Sequence, residues 1–178
     1  MNDFLTDVQT LRRQAREQIA MGPITQGYGA DRERLIQVLN EALATELICV
    51  LRYRRHYFMA TGIDAQPIAA EFLAHAGEEQ AHADAIALRI TQLNGEPDFN
   101  PATLVARSHA EYVEGNSLLD MIKENLVAER IAIASYREII QWLENNDSTT
   151  RTMLEGILAV EEEHANDLAG FLTDLAGS

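Results

Sequence analysis

The sequence contains two Glu-x-x-His steps, Glu79–His82 and Glu161–His164, and this repeated pattern restricts the fold more than any other feature. Three residues along an α-helix bring two side chains onto one face, so each step can offer a carboxylate and an imidazole to one divalent cation. Helical bundles that hold paired metals use two such steps and one glutamate from each of two further helices. The pattern therefore predicts a four-helix bundle with two more glutamates in its core.

Helical periodicity identifies those two glutamates. Stepping by four and three residues from each motif gives a largely apolar stripe, as expected of a helix face in a bundle core. Two other stripes have the same character, and each carries one glutamate near its middle, Glu46 or Glu129. The four stripes are Leu35, Leu39, Ala42, Glu46, Cys49, Tyr53; Ile68, Phe72, His75, Glu79, His82, Ile86; Leu118, Ile122, Asn125, Glu129, Ala132, Tyr136; and Leu154, Ile157, Glu161, His164, Leu168, Phe171, Leu175.

Any one of these glutamates could lie on the surface of an ordinary helix, but four in one core need a counter-charge. An unpaired ionised carboxylate in a core costs several kcal/mol. Two divalent cations would balance four carboxylates and leave both imidazoles neutral, and oxygen-rich sites with one imidazole per metal suit iron or manganese. We therefore predict a two-metal site formed by Glu46, Glu79, His82, Glu129, Glu161 and His164.

The two halves of the chain match each other. At an offset of 83 residues Glu46 superposes on Glu129 and Tyr53 on Tyr136, and the Glu-x-x-His steps match at an offset of 82. A repeated helix pair would build a site with approximate two-fold symmetry, as two equivalent metals require.

Length and composition limit the protein's class. The chain has 178 residues, enough for one domain with a full core, and its four prolines and many Ala, Leu and Glu residues favour an all-helical fold. One cysteine excludes an internal disulfide framework. The net charge of −14 argues against a general nucleic-acid surface. No apolar run approaches the ~20 residues of a membrane span, so we expect a soluble, cytoplasmic protein.

Cap and turn residues divide the chain. Residues 1–30 are predicted to form an N-terminal arm. It begins with an amphipathic helix over residues 1–20, whose apolar side carries Phe4, Leu5, Val8, Leu11 and Ile19, and ends with a loop from Met21 to Ala30. We expect this arm to pack against a neighbouring subunit. Residues 31–178 are predicted to form the bundle, with helices from Asp31 to about Ala60, from Asp64 to Asn94–Gly95, from about Ser117 and from about Asp147.

The 21 residues from Gly95 to Gly115 form a much longer link than the other two. An extended link of this length reaches up to about 70 Å, whereas a bundle helix of about 30 residues is about 45 Å long. The link can therefore cross the whole bundle and set the third helix parallel to the second. The predicted topology is up-down-down-up.

These motifs resemble the ferritin-like superfamily, and within it bacterioferritin. The resemblance covers Asp31 to Leu175 and rests on Leu39-Asn40-x-x-Leu43-x-x-Glu46-Leu47 with Tyr53, Glu79-x-x-His82-Ala83-Asp84, Glu129, and Glu161-Glu162-x-His164. It implies a ferroxidase centre that binds two iron ions per subunit at the six predicted ligands, oxidises Fe(II) with O₂ or H₂O₂, and passes Fe(III) to a mineral store. Tyr53 matches a tyrosine close to the iron, where it would orient a carboxylate or supply an electron.

Three features depart from bacterioferritin. Gln80 stands where the family has the methionine that ligates haem, so haem is not expected. Only 14 residues follow His164, too few for the family's fifth helix, and the chain has an N-terminal arm. The last two features resemble twelve-subunit mini-ferritins, so a homo-oligomeric cage of either 12 or 24 chains is expected.

Other interpretations use the same residues. Non-storage peroxidases, di-manganese catalases and di-iron oxygenases have related bundles, and manganese is the alternative metal. A DNA-protecting mini-ferritin would depend on Arg12, Arg13 and Arg16, against which the net charge argues. The stripes also leave roles open for three more residues: His56 and His75 as iron-guiding or hydrogen-bonded core histidines, and Cys49 as a small core residue or a reactive thiol.

Overall fold

A computed structural model of the protein describes residues 6–62 and 65–177. These residues form six α-helices and one short 3₁₀ helix, Ile19–Met21, with no strand among them. The helices are α1 (Val8–Glu17), α2 (Arg32–Met59), α3 (Ala65–Gln92), α4 (Leu104–Arg107), α5 (Leu118–Leu143) and α6 (Ser148–Gly177). The predicted all-α fold is thus confirmed. No helix in the described ranges is long and apolar enough to cross a membrane.

The starts of three bundle helices follow the predicted caps. The side chains of Asp31 and Ser117 accept the backbone N–H groups three residues later, at 3.1 Å in each case. Asp147 accepts the N–H of Thr150 at 2.9 Å at the start of α6. These bonds satisfy backbone donors that have no partner within the helix. The predicted start of α3 at Asp64 lies outside the described residues.

A close approach fixes the end of α3. Asn94 adopts a positive φ of 57°, and the N–H of Gly95 donates to the carbonyl of Ile90 at 2.9 Å, which ends the helix as predicted. A Cβ on Gly95 would lie 2.9 Å from side-chain atoms of Ile36 in α2. Only glycine therefore lets the end of α3 pack this tightly against the start of α2.

Contacts across the core give the topology. Tyr53 of α2 contacts Glu129 of α5, and Tyr136 of α5 contacts Glu46 of α2, so α2 and α5 run antiparallel. The α2–α3 and α5–α6 pairs pack along their lengths. The chain therefore follows the predicted up-down-down-up order.

The crossover between α3 and α5 contains a helical turn that the sequence pattern did not predict. Leu104 of α4 packs with Ala44 and Ile48 on the outer side of α2. The guanidinium of Arg107 donates to the carbonyls of Asn40 at 3.0 Å and Asp98 at 2.9 Å. These contacts hold the crossover along α2, so it spans the bundle as an ordered segment.

The N-terminal segment is attached mainly through its loop. No residue of α1 is buried, and the described part of its predicted apolar side includes Val8 and Leu11, which are at least half exposed. Phe4 and Leu5 lie outside the described residues. Tyr28 donates to Asp147 at 2.9 Å and packs against the core. The division at residue 30 and the docking of α1 on a neighbouring subunit stay predictions.

Inside the bundle, two apolar clusters lie on either side of a polar layer. One cluster includes Leu39, Ile86 and Ile139, and the other includes Phe72, Ile122 and Leu168. Along every bundle helix, the glutamates and histidines of the two repeats fall between these clusters. The fold thus places the candidate site in the middle of the bundle.

Candidate metal centre

Four helices bring the six predicted ligand residues together. Glu46 comes from α2 and Glu129 from α5, whereas α3 and α6 each contribute one Glu-x-x-His step. Each of the six side chains belongs to a residue that is at most 8% exposed. The helical spacing of the sequence motifs is therefore sufficient to turn every one of these side chains inward.

The six residues form two overlapping groups that could each hold a metal ion. One group contains Glu46 and His82, and the other contains Glu129 and His164. Glu79 and Glu161 belong to both. Within each group the ligand atoms lie within 4.8 Å of one another. This arrangement suits two cations, each with its own glutamate and histidine, bridged by two shared carboxylates.

In the first group, Nδ1 of His82 faces the carboxylates. It lies 2.9 Å from Oε1 of Glu161 and 3.5 Å from oxygens of both Glu46 and Glu79. No hydrogen bond of acceptable geometry reaches this nitrogen among the described residues. Its position is that of a ligand atom pointing at a shared centre.

In the second group, Nδ1 of His164 lies 3.6 Å from Glu79, 3.8 Å from Glu161 and 3.9 Å from Glu129. Its other nitrogen, Nε2, lies 2.7 Å from Oε2 of Glu78. A carboxylate only accepts hydrogen bonds, so Nε2 carries the proton and Nδ1 presents its lone pair to the three glutamates. Metal-binding histidines are commonly oriented by an outer carboxylate in this way.

Glu78 is the residue that sequence reasoning missed. It is exposed, and it lies next to Glu79 on α3, three residues after His75 and four before His82. That spacing places it on the edge of the same helix face. This spacing can be read from the sequence. It does not single out Glu78, however, because a surface glutamate beside a motif has no distinguishing pattern of its own.

Polar atoms without hydrogen-bond partners concentrate in this layer. Of the nine buried side-chain nitrogen and oxygen atoms without one in the described residues, seven belong to the six predicted ligands. Buried polar groups are normally hydrogen-bonded, because each unsatisfied group costs about 1–3 kcal/mol. Two cations would satisfy these atoms together.

Two tyrosines connect the halves crosswise. The hydroxyl of Tyr53 on α2 donates to Oε1 of Glu129 on α5, and that of Tyr136 on α5 donates to Oε1 of Glu46 on α2. Both tyrosines are buried. Each thus orients the carboxylate of the opposite repeat, leaving that carboxylate's second oxygen for the centre of the bundle.

The pKa values of Glu79, Glu161 and His82 are shifted by burial and by the charges around them. Burial raises the pKa of Glu79 well above its usual value, and the charge of Glu46 raises it further. Burial also raises the pKa of Glu161, together with the charge of Glu79. Burial opposes the charged form of His82, but the nearby carboxylates, led by that of Glu161, raise its pKa to about 12. In the absence of cations the cluster must bind protons to offset its negative charge.

His75 lies beside the His164 half. Its ring stacks on that of His164 with centroids 3.9 Å apart, and its Nδ1 lies 3.2 Å from the hydroxyl oxygen of Tyr53. Burial and electrostatic repulsion from the His164 ring lower the pKa of His75 to about 3. It is a hydrogen-bonded core histidine that reaches the tyrosine of the site.

The remaining candidates have other contacts. His56 has Nε2 3.0 Å from the carbonyl of Val113, which attaches α2 to the crossover. Cys49 is buried, 3.6 Å from the guanidinium of Arg52, and burial raises the pKa of its thiol well above the usual value. Neither belongs to the two ligand groups.

Gln80, at the family's haem-ligand position, donates to Asp84 at 3.0 Å, and the absence of haem stays a prediction.

Comparison with known proteins identifies the family. The family described as the ferritin-like domain matches residues 36–178. The chain belongs to the ferritin-like family. This ferritin-like chain is 32% identical over 136 residues to a bacterioferritin of Mycobacterium avium, covering 75% of the chain and 80% of the relative. It is also 29% identical over 143 residues to a nutrient stress-induced DNA-binding protein of Synechococcus sp., covering 78% of the chain and 81% of that protein.

A solved structure extends the comparison. The dodecameric thioferritin of Bacteroides fragilis, a bacterioferritin-related protein, superposes on this ferritin-like chain with a TM-score of 0.80 at 34% identity. The match covers 83% of this chain and 89% of that one. The predicted resemblance to bacterioferritins is therefore confirmed, and the four-helix core is common to both proteins.

Proposed function

We propose that this protein is an iron-storage ferroxidase. The observation that carries the proposal is the pair of overlapping ligand groups, in which seven buried polar atoms lack a hydrogen-bond partner among the described residues. Membership of the ferritin-like family and similarity to bacterioferritins support iron as the substrate.

Two Fe(II) ions would bind at the six ligands. Glu46 and His82 would hold one ion, Glu129 and His164 would hold the other, and Glu79 and Glu161 would be shared by both. Each ion gives up one electron, so the pair can reduce O₂ to H₂O₂, or H₂O₂ to two molecules of water, with protons from solvent. The Fe(III) product then leaves for a mineral store.

The two tyrosines position carboxylates in this scheme. Tyr53 holds Glu129 and Tyr136 holds Glu46, so each terminal carboxylate meets its ion in a set orientation. Preorganised ligands spare the site reorganisation when the charge on iron changes. Tyr53 also contacts His75, so of the two tyrosines it is the one that connects the metal centre to a residue outside the six ligands.

Aerobic oxidation of Fe(II) tests the proposal. Wild-type protein should oxidise two Fe(II) per chain much faster than buffer, and Glu46→Ala or Glu129→Ala should reduce the fast phase to the background rate. Glu163→Ala, an exposed neighbour of His164 on α6, is the matched control and should retain it. A wild-type rate equal to that of buffer would refute the assignment.

Storage requires a closed cage, and we propose 12 or 24 chains. Similarity to a dodecameric protein favours 12. Sedimentation or light scattering of the native protein should give one of these sizes. A dimer or tetramer would instead favour a non-storage di-iron or di-manganese peroxidase, catalase or oxygenase.

DNA binding is the weaker alternative, suggested by the name of the Synechococcus relative. In α1 the guanidinium of Arg13 pairs with Glu17, and that of Arg16 donates to the carbonyl of Arg12. The chain's net charge of −14 opposes contact with phosphates. No gel shift is expected at low salt, and a shift that disappears when residues 1–20 are deleted would reverse this conclusion.

A further inference from the structure

A second cluster of potential metal ligands lies outside the paired centre. It consists of Glu71 and His75 on α3 and Asp167 on α6, whose ligand atoms lie within 4.8 Å of one another. Glu71 and His75 are four residues apart, and Asp167 follows His164 by three, so both helices present these side chains on the faces that already meet.

The cluster connects the buried layer with solvent. His75 is 2% exposed, whereas the Glu71 side chain is 38% exposed. Glu71 and Asp167 line an open cleft of about 310 Å³ between α3 and α6. An ion could therefore enter from solvent and meet an imidazole that is itself part of the core.

Hydrogen bonding determines which nitrogen of His75 is free. Tyr53 has one hydroxyl proton, which it donates to Glu129. Its oxygen can then only accept from His75, so Nδ1 of His75, at 3.2 Å, carries the imidazole proton. In a neutral imidazole the lone pair consequently lies on Nε2, which makes no hydrogen bond among the described residues.

That lone pair points toward carboxylates. Nε2 of His75 lies 3.5 Å from Oε1 of Glu71, and Asp167 completes the group. Three acceptors that face one another repel unless a cation lies between them. We propose that Glu71, His75 and Asp167 form a third divalent-cation site, open to solvent and separate from the paired centre.

The ligand set indicates the class of ion. One imidazole and two carboxylates suit first-row divalent ions such as Mn(II), Fe(II), Co(II) or Zn(II), with water completing the coordination. Metal on Nε2 also favours the proton on Nδ1, and thus the existing bond to Tyr53.

The internal repeat supports a site on one side only. At the offset of 82 residues, the positions equivalent to Glu71, His75 and Asp167 hold Met153, Ile157 and Ala85. These side chains cannot bind a hard divalent ion. The third site is therefore specific to the half of the bundle that contains His164.

The test is an anaerobic titration of the intact protein with Mn(II). Binding is measured as the loss of the EPR signal of free Mn(II). Wild-type protein should bind three ions per chain. Glu71→Gln and Asp167→Asn should each bind two, with affinity at the third position reduced by more than about tenfold. Asp174→Asn, an exposed change in the same cleft, is the matched control and should keep three.

A second variant separates this proposal from the ferroxidase proposal. The double variant Glu46→Gln, Glu129→Gln weakens the paired centre and leaves the third site intact, so it should still bind Mn(II). Adding Asp167→Asn to this variant should lower the number of bound ions by one. A wild-type protein that binds only two ions, or an Asp167→Asn protein that still binds three, would overturn the third site.

Discussion

The two halves of the proposed centre have the same candidate ligands but different surroundings. In one half Glu46 is held by Tyr136, and in the other Glu129 is held by Tyr53, as the repeat requires. Around His164, however, lie Glu78 and a stacked imidazole, whereas the equivalent positions in the His82 half hold Val160 and Ile157. Ligand geometry thus follows the internal symmetry, and the polar environment departs from it.

This difference separates two demands on the protein. A pair of metals needs matched ligands, which both repeats supply. Exchange of ions or protons with solvent needs a polar route, and one route is enough. We expect changes to shared ligands to affect both halves, and changes around His164 to affect one.

The largest effect is expected from a shared carboxylate. Glu161→Gln keeps the size of the side chain but removes the charge that bridges both ions, so it should lose two bound Fe(II) per chain relative to wild type. Glu46→Gln removes a ligand of one ion and should lose only one. Anaerobic equilibrium dialysis with metal analysis measures both, and equal losses would show that the two ions do not share Glu161.

The tyrosines provide the next test. In metal-free protein, Tyr136→Phe removes one hydrogen bond to a carboxylate and should lower the free energy of unfolding by about 1.5–3 kcal/mol. Tyr53→Phe removes the equivalent bond and also leaves the Nδ1 proton of His75 without its acceptor, which should cost about 1 kcal/mol more. Urea unfolding with a chelator gives both values. Equal losses would mean that the hydrogen bond between His75 and Tyr53 contributes nothing to stability.

The stability of the protein at acidic pH should depend on His75, which is present in only one half of the centre. Because the pKa of His75 is lowered to about 3 in the folded protein, the unfolded chain binds a proton more readily below its ordinary value of 6.5. The stability that His75 contributes is therefore present above pH 6.5 and is lost as the pH falls toward 3. In metal-free protein, the stability of wild type relative to His75→Leu should fall by about 1.6 kcal/mol between pH 6.5 and 5. A difference independent of pH would show that His75 titrates normally.

The smallest effect is expected from the exposed carboxylate behind His164. Glu78→Gln should weaken binding of one ion by about tenfold, at the low end for an outer carboxylate, because Glu78 is partly in solvent. Glu163→Gln, exposed on α6, should leave both affinities unchanged. An equal effect of the two substitutions would assign the loss to surface charge rather than to the orientation of His164.

The burial of the six candidate ligands could be predicted, because helical spacing determines which side chains face the core. Two Glu-x-x-His steps and the apolar stripes around Glu46 and Glu129 depend only on the period of the helix. The caps at Asp31, Ser117 and Asp147 are local for the same reason.

The rest depends on how helices are placed against each other. The spacing put Tyr53 on the face of Glu46, but its hydrogen bond goes to Glu129 on the opposite helix. The contact of Glu78 with His164 requires a particular rotation of α3 against α6. The four residues of α4 are too few for a periodic signal.

Crystals soaked anaerobically with Fe(II) test the central claim most directly. Anomalous diffraction at the iron edge should show two ions inside each bundle, about 3.5–4 Å apart. One should contact Glu46 and His82, the other Glu129 and His164, with Glu79 and Glu161 between them. A single ion at this layer, or none, would contradict the account.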